Sequence, residues 1–180
     1  MVDPWTHQAI DFEAAHLLAH ASDNPLASAW ITALSAKAIS ASQGITAFEQ
    51  LLYRFSEFIP AKRDLAILYA MSDQNHADAY QLAREASRTL SNDSELTLAL
   101  GILELKRGNF KRAVALLAAE NANTSSSAII QFYWGMARLH TGNSAESLSS
   151  FKKALELGLS GAQADEAQQA IHQIEEDAPF

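Results

Sequence analysis

Two pairs of glycines in the second half of the chain stand at matching steps. Gly101 and Gly108 bracket GILELKRG, Gly135 and Gly142 bracket GMARLHTG, and the second pair lies 34 residues after the first (135 − 101 and 142 − 108). A period of this size marks a small supersecondary unit that buries its apolar face only by stacking on copies of itself. In the stretch 128–161, AIIQFYWGMARLHTGNSAESLSSFKKALELGLSG, two helical patterns flank Thr141-Gly142-Asn143. Glycine and asparagine accept the positive φ that ends a helix, so the unit is predicted to be helix, turn, helix. LTLALGILEL alternates apolar residues at 96, 98, 100 and 102, which also fits a half-buried strand. Its echo IIQFYWGMARL does not alternate, and Val and Thr are scarce around both, so both are assigned to helices.

The first helix of each unit pairs a large residue with a small one, Leu100-Gly101 and Trp134-Gly135, and the second carries small, large, small in Ser147, Phe151 and Ala154. In these residues and in its period the segment resembles the tetratricopeptide repeat. The resemblance implies an all-α fold, a right-handed α-solenoid of antiparallel helix pairs. The preceding unit matches with Ala113 and Leu117 and departs at Glu120; the one before it gives Ala79, Ala83 and Ala86, with a small middle residue. Its first helix, DLAILYA, fits if the turn MSDQNHA holds one extra residue. FEQLLYRFSEFIP reads as a second helix ending before Pro60, and Pro25 and Pro60 each suit the first turn of a helix, where the missing N–H costs nothing. The expected organisation is a single domain over 1–180: an N-terminal helix in 1–24, units at 25–59, 60–93, 94–127 and 128–161, and a C-terminal capping helix and tail in 162–180.

The small residues have a physical purpose. Paired helices approach closely only where one lacks bulk, so Gly135 and Ala154 are predicted contact points. At the C-terminal end, Ala167, Ala170, Ile171 and Ile174 make one apolar stripe, as a cap with one face in water requires. At the other end, Trp5, Ala9 and Phe12 lie nearly opposite Ile10, Ala14, Leu17 and Leu18. A helix apolar on two sides wants two neighbours, which makes Trp5 and Phe12 a candidate interface for self-association, or for preceding repeats of a longer array.

Composition narrows the function. The formal charge is −8 with only 13 Lys and Arg, and the densest basic groups are pairs, Lys62-Arg63, Lys106-Arg107 and Lys152-Lys153, read as solvated helix surface. Nucleic acid is not an expected partner, because phosphate binding needs clustered cations. No stretch approaches the roughly 18 consecutive apolar residues of a membrane span, and MVDPWTHQAI has no signal-peptide pattern, so membrane insertion is not expected either. The compartment stays open: cytoplasm is the default, and a piece of a longer periplasmic or secreted precursor reads the same. There is no cysteine, which removes thiol catalysis and thiolate metal sites. His16 and His20, with Asp23 nearby, have the i, i+4 spacing of metal ligands but no HExxH context. SNDSE and NTSSS read as helix starts rather than nucleophile elbows, GNFKRA lacks P-loop spacing, and SEFIPAKRD reads as a solvated charge mixture. No enzyme activity, cofactor or metal is expected.

The resemblance implies that one face of each first helix lines a concave groove. Carried onto this chain, that face is Ile67, Ala70 and Met71, then Leu98, Ile102 and Leu105, then Phe132, Met136, Leu139 and His140. The second and third sets share an i, i+4, i+7 spacing, and the opposite faces (Leu96, Leu100, Leu103; Ile130, Trp134, Ala137) supply apolar residues for helix packing. The expected function is a protein-protein interaction module that takes an apolar or amphipathic peptide or helix. The alternatives are a structural scaffold, self-associating or the C-terminal part of a larger repeat protein, and a secretion-type chaperone. Where family members clamp a peptide carboxylate with Lys and Asn, this face carries Leu, Ile, Phe and Met, which disfavours such a clamp.

Overall fold

A computed structural model describes residues 24–72, 76–123 and 127–177. Trp5, Phe12, His16, His20 and Asp23 lie outside them, as does the side chain of Glu120. The described residues form nine α-helices and no strand: α1 (Pro25–Ile39), α2 (Ala41–Arg54), α3 (Ile59–Met71), α4 (His76–Thr89), α5 (Ser94–Lys106), α6 (Phe110–Asn123), α7 (Ala128–His140), α8 (Ser144–Glu156) and α9 (Ala162–Glu176). LTLALGILEL lies inside α5, so its alternation is that of a helix apolar all round. None of these helices is long and apolar enough to cross a membrane.

Local chemistry fixes where the helices begin and end. Asn24 caps α1, its Oδ1 accepting from the Leu26 and Ala27 amides at 3.0 and 3.2 Å, and Pro25 and Pro60 occupy first turns. Asp93 caps α5 in the same way, accepting from the Leu96 amide at 2.8 Å. Gly108 and Gly142, at φ 77° and 82°, carry the chain out of α5 and α7. The next amides, of Asn109 and Asn143, return to the carbonyls of Glu104 and Arg138 at 2.9 Å and close both helix ends.

The helices meet where bulk is missing. A β-carbon on Gly135 would stand 2.8 Å from Phe151 Cε1, and one on Gly101 2.7 Å from Leu117 Cδ2. Ser147 adds a buried hydrogen bond across the same seam, from its Oγ to the Gly135 carbonyl at 2.9 Å. The same seam exists further upstream than its sequence pattern announced. Gly44, Phe48 and Leu51 are buried in α2 at the same steps of four and three, with a large Leu51 where Ala86 and Ala154 stand in later units, and a β-carbon on Gly44 would come within 2.8 Å of Lys37 Cα. Gly44, Ala79, Ala113 and Ser147 are thus equivalent, at steps of 35, 34 and 34 (79 − 44, 113 − 79, 147 − 113).

The chain forms two compact units that part within α5, one up to Ala99 and one from Leu100. In the first, α1 packs on α2, α2 on α3 and α3 on α4. Here the expectation of solvated charges at 62–64 is overturned: Lys62, Arg63 and Asp64 are all buried. The reason is pairing. Arg63 donates to both carboxylate oxygens of Asp93, to Glu95 at 2.6 Å and to Asp64 at 3.0 Å, while Lys37 reaches Asp64 at 2.8 Å and Lys62 reaches Glu85 at 2.8 Å. Burial by itself lowers the Arg63 pKa, but the hydrogen bond and charge of Asp93, with Asp64 and Glu95, more than offset it and hold the guanidinium charged. In the second unit, α6 packs on α7, α7 on α8 and α8 on α9. Ala167 is fully buried and Ala170, Ile171 and Ile174 half-buried, so α9 turns the expected stripe inward.

Candidate peptide-binding site

The predicted groove residues divide by exposure. In the first unit Met71 is 40 % exposed and Ile67 half-buried, while Ala70 and Leu98 are buried. In the second, Ile102 and Phe132 are 0 % and 2 % exposed and Leu105 is also buried; Met136 and Leu139 are half-buried and His140 is exposed. The ladder is therefore not surplus to the core along its whole length. Leu96 and Leu103 are buried on one side of α5 and Leu98, Ile102 and Leu105 on the other, as a helix apolar all round requires. Phe132 packs its ring at 5.1 Å from Tyr133 and 6.1 Å from Phe151, between centroids. Such a residue cannot meet a partner without opening the core.

What stays accessible in the second unit gathers at the end of α7. His140 stacks flat on Phe110, the first residue of α6, with ring centroids 4.2 Å apart and planes 5° from parallel. The pair walls an open pocket of about 640 Å³ lined by Gly108–Arg112 and His140–Gly142, between the two equivalent glycine turns. Arg112 and Asn109 are anchored from below by Glu104, which is 1 % exposed: Arg112 Nε lies 3.1 Å from its Oε1 and Asn109 Nδ2 donates to its Oε2 at 2.7 Å. No acidic side chain lines the pocket. Sequence reasoning reached His140 as the last step of the ladder but missed Phe110. The signal was an aromatic residue directly after the Gly108-Asn109 turn, where the next repeat places Ser144.

No group of three His, Cys, Asp or Glu among the described residues is arranged to hold a metal ion. The Tyr69 hydroxyl, in the first unit, is held protonated: burial and the hydrogen bond it donates to Glu49 both raise its pKa.

Solved structures with this arrangement of helices include MamA of MSR-1, at TM-score 0.63 and 20% identity over 84% of this chain and 85% of that one. The fold is that of the tetratricopeptide repeat. MamA of AMB-1 superposes with TM-score 0.60 at 21% identity, covering 82% of this chain and 85% of its own. TTC0263, a thermophilic TPR protein of Thermus thermophilus, gives 0.56 at 17% identity over 86% and 85%. No family model and no curated protein matches the sequence. At such identities the likeness is one of fold, and the exposed side chains must be judged on their own chemistry.

Proposed function

We propose that the chain is a non-enzymatic interaction module that takes an apolar or amphipathic peptide on the accessible part of the first-helix face. In the second unit that part is Met136, Leu139 and His140; Ile67 and Met71 form a corresponding patch in the first. The supporting observation is that Met136 and Leu139 follow buried Phe132 on one face of α7 yet keep surface of their own. Burial of a large apolar side chain is worth about 1.5–3 kcal/mol when complete, so a partner covering these two gains a useful part of that. Unbranched methionine adapts to ligands of varied shape. The fold adds general support, since stacked helix pairs present extended surfaces of this kind.

The test is capture from a lysate of the source organism by the wild-type chain and by a Met136→Glu, Leu139→Glu variant whose circular dichroism is unchanged. A protein retained by the wild type and lost by the variant supports the proposal. Equal capture by both overturns it.

A further inference from the structure

The geometry points to a partner of a particular chemistry: an acidic peptide segment that places an aromatic or aliphatic side chain in the pocket beside Phe110 and His140. The assignment rests on the interaction role proposed above and specifies the ligand of the same end of the second unit. Four of the 13 Lys and Arg in the chain fall within residues 106–112, KRGNFKR, which hold no acid. Glu104 lies just before this stretch and pairs with Arg112, so residues 104–112 carry a net charge of +3 (four bases, one acid) in a chain of formal charge −8. Two of the four, Lys111 and Arg112, line the pocket.

The same pocket offers an apolar surface. The stacked Phe110 and His140 rings form one of its walls, and an aromatic side chain packs well against such a pair. A β-carbon on Gly108 or Gly142 would meet nothing within 4 Å, so a ligand backbone has access to both turns. Arg112 is held by Glu104, which offsets part of its charge, and its side chain, 69% exposed, offers its remaining N–H groups from a set position. Cations beside an aromatic wall fit an acidic segment carrying an apolar anchor by charge complementarity, which excludes basic partners. A nucleic acid needs a longer run of phosphate-contacting cations than the two, Lys111 and Arg112, that line this pocket.

The experiment is selection of random dodecapeptides displayed on phage against the full chain, followed by fluorescence anisotropy of the enriched peptides. Affinities are compared for the wild type, Lys111→Glu, Phe110→Ala, and Met136→Glu with Leu139→Glu. The expected result is enrichment of peptides rich in Asp and Glu around an aromatic or aliphatic residue. Their affinity falls at least about tenfold with Lys111→Glu and with Phe110→Ala. Enriched peptides that are neutral or basic, or acidic peptides indifferent to both pocket variants, overturn the assignment. If such peptides are still lost with the Met136 and Leu139 replacements, the interaction role stands and only the pocket fails. No enrichment at all overturns both. Oligodeoxythymidylate and phosphatidylserine vesicles are titrated in parallel, and preferential binding of either one through Lys111 also overturns a peptide partner.

Discussion

Asp93 serves Arg63 and the backbone at once. Its carboxylate accepts the Leu96 amide at 2.8 Å, capping α5, and both its oxygens receive the Arg63 guanidinium from α3, two side chains only 9% and 10% exposed. A cap alone is worth about 1 kcal/mol. Breaking a buried ion pair by removing one partner costs about 3–5 kcal/mol when the other charge is left unpaired, but Arg63 keeps Glu95 and Asp64. Asp93→Ala is therefore expected to cost about 3 kcal/mol in urea unfolding, the low end of that range. Asp93→Asn keeps the cap and loses the charge, so it should cost about 1 kcal/mol less.

Lys62 and Glu85 give the first unit a dependence on pH. The hydrogen bond from Lys62, followed by that from Gln81, lowers the Glu85 pKa from its ordinary 4.5. A carboxylate depressed in the folded state contributes stability above its unfolded pKa and loses it as pH falls through the folded value. The Lys62 pKa is raised, chiefly by its hydrogen bond to Glu85, so the ammonium's contribution is present below 10.5 and lost as pH rises through the folded value. In Lys62→Met, the fall in urea midpoint from pH 5 to pH 3 is expected to be shallower than in the wild type, and so is the fall above pH 10. Parallel curves for the two proteins would assign the dependence to other groups.

How much of this was legible in the sequence depended on whether a pattern repeats. The 34-residue echo located α5 to α8, because Gly101, Gly135 and the glycine turns are steric requirements that any stacked unit must meet. Gly44 obeys the same requirement but belongs to a unit displaced by one residue, so a fixed period passes over it. Lys62-Arg63-Asp64 looked like surface because charge alone does not reveal burial. Its partners Glu85, Asp93 and Lys37 lie 23 to 30 residues away and come together only through helix pairing. The groove face was named from helical spacing, but α5 and α7 are apolar on more than one side, and spacing cannot say which sides the stack covers. Phe110 was missed for a related reason. Its stacking on His140 joins the start of one helix to the end of another in the next repeat.

Gly135 and Gly142 are required for different reasons, and substitution should separate them. At Gly135 the obstacle is the Phe151 ring, so Gly135→Leu forces the α7 and α8 seam apart and is expected to cost about 3 kcal/mol. At Gly142 there is space but a positive φ, and Gly142→Ala should cost about 1–2 kcal/mol from backbone conformation alone. Gly142→Asn should recover part of that, since asparagine tolerates the left-handed region. Urea midpoints of the three variants, compared with the wild type, check the order.

Phe132 and Met136 lie one turn apart on α7 and should respond to change by very different amounts. Phe132 is enclosed, with its ring against Tyr133 and Phe151, so Phe132→Ala is expected to cost about 3–5 kcal/mol whatever its effect on binding. Met136 keeps surface, and Met136→Glu should leave a well-formed helix and a cost below about 1 kcal/mol. Thermal unfolding of both variants therefore comes before any binding assay on this face. If Met136→Glu unfolds the chain as readily as Phe132→Ala, the whole ladder is core and the α7 surface offers a partner nothing. If it leaves the melting temperature nearly unchanged, lost binding in that variant reports on the surface and not on the fold.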